Sequence, residues 1–381
     1  MKRSLLFLAA VLGLTVVGAT AQAQEKLRLP FPYIFSGPLL DFGERVWNEG
    51  VIPAVEEVNR KGGIKGKQLE FYKVDTRFPD TAQWISEFRR FCDDPTIPIV
   101  FGIGATKSLL AVFEDSKRCG IPIFNPSSGG DWPHHGDFAN LIFRYQPMAS
   151  DVLPVLYKKA ASKLGVKNVT ISYTLDDEAT ANNVRAAKKI LEVQGIKILA
   201  ETSFRGKESN FASQVGVHRA ANPDAIILIH QPGDAGTFLL QLRERGVEKQ
   251  ILSDVIIGGA DFWKLSQGKG KGAIGYAIYA ADDPRPVVQN WVKLWRERNK
   301  KPDEAPDAFV TAYYDAVEIL AKVLNESSSL TRENVRDGFL KIKDLDTISG
   351  KITWKEVGDV YRSEPVLVQV GDNGVLKYWN P

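Results

Sequence analysis

From Leu27 onward the chain alternates short apolar runs with longer stretches whose apolar positions recur at helical spacing. Leu27–Phe35, Gln68–Asp75, Ile97–Gly102, Ile121–Pro126 and Leu141–Gln146 read as strands. Between them, helical spacing covers Trp47–Arg60, Thr81–Phe91 and Lys107–Arg118. Gly62 and Gly120 stand just past the first and last of these, where glycine ends a helix readily. The first strand holds a conflict, because Pro30 and Pro32 are poorly suited to a central strand. Either the strand begins near Tyr33 or its start is an irregular edge.

The pattern then restarts. Asn168–Thr174, Ile196–Phe204, Ala225–His230 and Ile251–Gly258 read as strands, separated by helices at Thr180–Gln194, Asn210–Ala221 and Ala235–Arg245. Amphipathic helices follow at Val287–Arg298 and Phe309–Leu324. The chain closes with short strands at Lys351–Lys355 and Pro365–Val370, the second leading into a Gly371–Gly374 hairpin turn. Such alternation predicts an α/β fold built from two doubly wound parallel sheets.

The segment before Leu27 belongs to a different class. Lys2 and Arg3 precede the apolar stretch Leu5–Ala19, and Ala21-Gln22-Ala23 offers small residues for cleavage. This is the anatomy of a signal peptide spanning residues 1–23. An uncleaved anchor is the alternative, but the apolar core of about 15 residues is shorter than the roughly 20 a spanning helix needs. No later segment is long and apolar enough to span a bilayer, so the mature chain is expected to be soluble and periplasmic, without stable membrane insertion. Its remaining length of about 358 residues exceeds what one hydrophobic core holds, which favours two domains.

Composition narrows the partners. The formal charge is only +3, and Lys2 and Arg3 supply two of those charges. Without a basic stripe, nucleic acid is not an expected partner. Cys92 and Cys119, the two cysteines, each end a helical pattern just before a strand. In a parallel sheet both lie at the N-terminal edge, and an oxidising compartment favours a bridge between them. Two buried free thiols are the alternative.

In open α/β sheets, ligands sit beyond the carboxyl ends of strands. In the first unit those loops are Ser36-Gly37-Pro38, Gly102–Ser108 and Asn125–Gly130, all rich in Gly, Ser or Thr. Gly102-Ile103-Gly104-Ala105-Thr106-Lys107-Ser108 resembles a phosphate loop at first sight. The motif needs glycine before the lysine, and Thr106 stands there instead. The spacing from Gly102 is also one residue short, so an ATPase is not supported. A helix N-terminus with hydroxyls from Thr106, Ser127 and Ser128 suits a carboxylate better. The plainer alternative is a strand-to-helix turn with Ser and Thr as caps.

Other constellations carry less. His134-His135 lacks an acid cluster to complete a metal site. Asp176-Asp177-Glu178 lacks calcium-loop spacing and reads as a solvated acidic helix start. Ser127 and Ser128 lack the G-x-S-x-G setting of a hydrolase nucleophile. Trp132, Phe262 and Trp263 follow strand-end loops, where rings could sandwich a ligand, although core packing explains each as well. No catalytic residue, metal or cofactor is indicated.

The order of these parts resembles the type I periplasmic solute-binding proteins of ABC importers, the leucine/isoleucine/valine-binding family. The resemblance is carried by Asn59-Arg60-Lys61-Gly62-Gly63-Ile64-Lys65-Gly66-Lys67 before a strand ending in Asp75. Ser36-Gly37-Pro38, the Gly102 loop, Ile121–Ser128 and Phe143-Arg144 support it. It implies two lobes joined by a three-segment hinge near Tyr145–Pro147, Ile278–Ala281 and Ile348–Lys351. Lobe 1 would hold residues 24–145 plus 280–348, and lobe 2 residues 146–279 plus 349–381. A ligand would be trapped by hinge closure.

By the same resemblance, Ala105-Thr106 and Ser127-Ser128-Gly129 would bind a ligand carboxylate. The second lobe departs from the family. Ala179 and Thr180 stand near where branched-chain amino acid binders place an aromatic, and Gly259 or Ala260 where they place an ammonium-binding Glu. Asp261 is the adjacent candidate. Without it an ammonium would lie buried and unpaired, so an aromatic acid rivals an amino acid, with Trp132 and Phe262 facing its ring. The expected protein is a monomeric binding component, not an enzyme, that delivers a small carboxylate to ABC permease subunits. A ligand-sensing subunit for a signalling receptor and an exported serine hydrolase are the alternatives.

Overall fold

The computed structural model describes residues 25–130, 140–206, 208–354, 360–362 and 365–381. Lobe 1 contains β1 (Lys26–Tyr33) paired in parallel with β2 (Gln68–Asp75). A second parallel sheet orders β3 (Val100–Phe101), β4 (Ile123–Asn125) and β5 (Ile142–Arg144).

The two prolines explain why these are separate sheets. Tyr33 gives its carbonyl to Thr76 just past β2, whereas the Pro32 carbonyl faces the other way and accepts from Ile103 N at 2.6 Å. Pro30 lies on that same side, so β1 has no N–H at either position to offer β3. The strand therefore runs through both prolines, and β3 takes its ladder from β4. Backbones still approach closely, because Gly102 has φ +130° and a Cβ there would lie 2.7 Å from the Pro32 carbonyl oxygen. Loop Gly102–Thr106 is thereby set against the end of β1.

Lobe 2 is a seven-stranded sheet. β6 (Asn168–Thr174), β7 (Lys197–Phe204), β8 (Ala225–Ile229), β9 (Gln250–Ser253) and β10 (Ile274–Ala277) form its parallel part. Two late strands complete it after the small antiparallel sheet of β11 (Leu345–Thr347), β12 (Gly350–Trp354) and β13 (Val360–Arg362). They are β14 (Val366–Val370), antiparallel to β10, and β15 (Leu376–Tyr378), with Asp372–Gly374 turning between them.

Several elements differ from the sequence expectation. The strand expected over Ile251–Gly258 stops at Ser253, because the Asp254 carboxylate accepts Ile256 N at 3.2 Å and caps a 3₁₀ turn over Val255–Gly258. The helix expected over Lys107–Arg118 is two, Thr106–Ala111 and Phe113–Cys119. Helix Ala149–Leu164 was not expected at all. Beyond Ile348–Lys351, Trp354 still packs against Phe124, Phe143 and Phe339 of lobe 1. Only at Val366 does the chain enter the second sheet.

Cys92 and Cys119 are joined by a disulfide, with Cα atoms 5.5 Å apart. Beside it the Arg332 guanidinium donates to the carbonyls of Phe91, Cys92, Asp94, Ile97 and Cys119. That edge of lobe 1 is thus fixed at the end remote from the strand-end loops.

Side chains knit the crossings together. Tyr145 OH pairs with Asp315 and with Ser349 Oγ, and Asp315 also accepts Ile348 N at 3.0 Å. Arg285 joins Asp283 to the carbonyls of Thr347 and Ile348, while Arg362 donates to Tyr145 O at 2.6 Å. Burial pushes the Asp315 carboxyl up to about 6.

Candidate functional site

A cleft of about 270 Å³ opens where the carboxyl ends of the lobe 1 strands face those of the lobe 2 strands. Ile34, Leu39, Phe42, Phe78 and Phe309 give lobe 1 an apolar wall, which Val255, Ile256 and Leu265 meet from lobe 2. The lobes are in contact around it. A Cβ placed on Gly130 of lobe 1 would lie 3.1 Å from Ala179 Cβ of lobe 2 and 3.1 Å from Thr106 Oγ1. Any side chain at Gly130 would prop this closed arrangement apart.

Ala105, Thr106, Ser127, Ser128 and Gly129, all expected at the site, line one end of the cleft together. No side chain caps helix Thr106–Ala111, and the first N–H groups of a helix have no partner inside it. Asn125 organises the neighbouring loop, donating to the carbonyls of Gly102 and Ile103 and accepting Ser128 N at 2.7 Å. The two serines differ. Ser127 Oγ is held by Tyr313 OH at 3.0 Å and lies 3.4 Å from Gly104 O. Ser128 Oγ is buried and has no hydrogen-bond partner among the described residues. Ser128 is thus the hydroxyl available to a ligand. We expect Ser128→Ala to weaken ligand binding by about 1–3 kcal/mol, the range for a bond to a charged group. Calorimetry on the variant checks this, and an unchanged affinity would remove Ser128 from the site.

The expected second-lobe residues fare differently. Asp261 lines the cleft, but its carboxylate is bound by both Arg45 terminal nitrogens, at 3.2 and 3.0 Å. Arg45 Nε also donates to Asp307 at 3.0 Å. Burial opposes the Arg45 charge, yet Asp307 and Asp261 outweigh it and raise the guanidinium pKa. Asp261 is therefore committed to a protein cation that reaches across from lobe 1. Phe262 is wholly buried in the lobe 2 core and does not line the cleft, its ring packing where a Cβ on Gly270 would fall. Trp132 and His134-His135 lie outside the described residues.

Of the polar groups that do line lobe 2, the sequence reads Asp177 as part of a solvated acidic helix start and does not single out Asp254 or His230. Asp254, at the end of β9, is 2% exposed and accepts Asn183 Nδ2 at 3.0 Å. Burial pushes its carboxyl up to about 6. Among the described residues no Lys, Arg or His forms an ion pair with it. Asp177 caps helix Glu178–Val193 through Thr180 N at 2.8 Å and accepts Gln231 Nε2 at 2.9 Å. Its carboxyl is also raised, chiefly by burial. His230 lines the cleft fully buried, with Nδ1 3.1 Å from Thr174 Oγ1 and Nε2 without a partner among the described residues. Burial holds this imidazole neutral, well below its ordinary range. The only sequence signal for Asp254 was an Asp interrupting an apolar run.

A family model described as periplasmic binding protein matches residues 26–374. The Leu/Ile/Val-binding protein homolog 7 of Brucella abortus (strain 2308) is 28% identical over 351 residues, covering 87% of this chain and 84% of that protein. Its Brucella suis counterpart aligns over 244 residues, 62% of this chain and 60% of that one. The Leu/Ile/Val-binding protein of Escherichia coli (strain K12) is 25% identical over 340 residues, covering 88% of each chain. Among solved structures, the Thermotoga maritima leucine binding protein LivK superposes with a TM-score of 0.82 at 21% identity, covering 93% of this chain and 97% of that chain. The Streptococcus pneumoniae LivJ structure with isoleucine gives 0.81 at 20% identity, covering 94% and 100%. No helix among the described residues is long and apolar enough to cross a membrane.

Proposed function

This chain belongs to the periplasmic binding protein family, and on that premise we propose that it captures a small α-amino acid outside the cytoplasm and delivers it to an ABC importer. The observation that carries the reading is Asp254, a buried carboxylate with no protein cation among the described residues, lining the same cleft as the lobe 1 donor loops. An ammonium placed against Asp254 would neutralise it. A carboxylate on the same ligand would meet the N–H groups at Ala105-Thr106 and the Ser128 hydroxyl. Charge-assisted bonds at both ends then reward closure, because only the closed cleft presents both sets at once.

A plain aromatic acid fits less well, since it would set an apolar ring against Asp254 and leave that carboxylate buried and unpaired. Ser127 is bonded to Tyr313, and the described histidines bond to threonines, Thr170 and Thr202 for His218 and Thr174 for His230. These contacts favour binding over nucleophilic chemistry. The relatives named above are likewise binding proteins.

The test is a thermal-shift screen of α-amino acids, each beside the acid that lacks only the amino group. A ligand that binds only the folded state must raise the melting temperature. Amino acids should raise it and their des-amino partners should not. Stabilisation by aromatic acids alone would overturn the reading.

A further inference from the structure

The lobe 2 wall turns its side-chain donors toward its own acceptors. Asn183 Nδ2 donates to Asp254, Gln231 Nε2 to Asp177, and Thr180 Oγ1 to the Thr174 carbonyl. Both of those carboxylates line the cleft. His230 adds a ring nitrogen to the same wall: Nδ1 lies 3.1 Å from Thr174 Oγ1, and Nε2 has no partner among the described residues.

The charge on the wall is equally one-sided. Asp261 is matched by Arg45, while Asp41 and Lys264 stand on the exposed rim. Deeper in, Asp177 and Asp254 both line the cleft, the Asp177 charge adds to the rise at Asp254, and neither has an ion pair among the described residues. The single ammonium of a simple amino acid would neutralise only one of them.

Resting on the amino acid reading above, we propose that the ligand's side chain ends in a second cationic donor, an ammonium or guanidinium, which Asp177 binds while Asp254 holds the α-ammonium. His230 Nε2, without a partner among the described residues, lies on the same wall. The aliphatic stem of such a side chain lies along Val255, Ile256 and Leu265, and its carboxylate stays with lobe 1. The substrate class is the dibasic amino acids.

L-lysine and L-norleucine make the discriminating pair, because they share a carbon chain and differ in the terminal ammonium. Calorimetry at neutral pH should show lysine binding about ten-fold or more tightly than norleucine, as expected for a bond between charged groups. Asp177→Asn keeps an equally good helix cap, so the fold is preserved. In that variant the lysine preference should disappear while norleucine affinity holds. A purely structural role for Asp177 would weaken both ligands alike and would overturn the inference. So would norleucine binding as tightly as lysine to the unaltered protein, which would leave the amino acid reading standing. If no α-amino acid binds, that reading falls and takes this inference with it.

Discussion

Asp254→Asn should reduce affinity for the amino acid that ranks first in the screen by about 2–4 kcal/mol, roughly 30- to 1000-fold. Asparagine keeps the shape and can still cap the 3₁₀ turn at Ile256 N, so the loss combines the charge with the one bond that Oδ2 accepts from Asn183. The magnitude comes from leaving an ammonium buried opposite a neutral group. The same substitution should stabilise the unliganded protein at neutral pH. Asp254 sits at about 6, above its value in the unfolded chain near 4, so the folded state takes up its proton first. The penalty of burying the charge is therefore present in full above about pH 6. It is relieved as pH falls toward 4, by roughly 3 kcal/mol for a shift of this size. Asp315 adds a relief of the same sign and size in the hinge.

Ligand reverses the slope. A bound ammonium favours the Asp254 carboxylate, so acidification below about pH 6 must protonate it against that attraction, and affinity falls. Calorimetry at pH 7.5 and pH 5 on both proteins checks the pair of claims. Wild-type affinity in the Asp254→Asn variant would end the assignment.

Arg45→Met should open the unliganded protein. Arg45 is 17% exposed and holds Asp261, at 23%, and Asp307, at 6%, in one cluster. Removing one member of a buried charge cluster typically destabilises by about 3–5 kcal/mol, because the remaining charges are left uncompensated. Here the molecule has an escape that a core would lack. Asp261 belongs to lobe 2, so parting the lobes carries it into water and relieves the repulsion with Asp307. The penalty therefore falls on the closed state in particular. Solution scattering should show a larger radius of gyration without ligand, and ligand affinity should drop as the closed form is depleted. Combining Asp261→Asn with Arg45→Met should prove less damaging than the sum of the two, as contacting groups require. Strict additivity, or an unchanged scattering profile, would mean the pair does not latch the lobes.

Much of the architecture could be read from alternation alone. β2 and β6 lie where their patterns placed them, and so do the long helices after Pro286 and Ala308. The failures have physical causes. Val255, Ile256, Ile257 and Gly258 are all buried, and periodicity cannot separate a buried 3₁₀ turn from a strand. Helix Ala149–Leu164 contains Pro154, which hides the helical spacing of Val152, Leu153, Leu156 and Tyr157.

The site divides in the same way. Lobe 1 was legible because its Gly- and Ser-rich loops follow strands directly. Lobe 2 was not, because Asp177 and Asp254 are both helix caps, and a cap uses the same residue types as a ligand contact. Only the fold reveals that both caps line one cleft. Phe262 fails in the opposite sense, since an aromatic next to a loop gives no sign that the core will enclose it.

The late strands of the second sheet have a consequence for the order in which the protein can be built. β10 has its antiparallel neighbour β14 about ninety residues further along, and β14 in turn needs β15. Lobe 1 waits in the same manner for the helix at Ala308–Glu326 and for Trp354. As the chain emerges from the ribosome, the parallel strands β6–β10 can pair among themselves, but the β14–β15 edge must await the last residues, and pairing over such separations is slow. The second sheet is therefore completed only when almost all of the chain has been made.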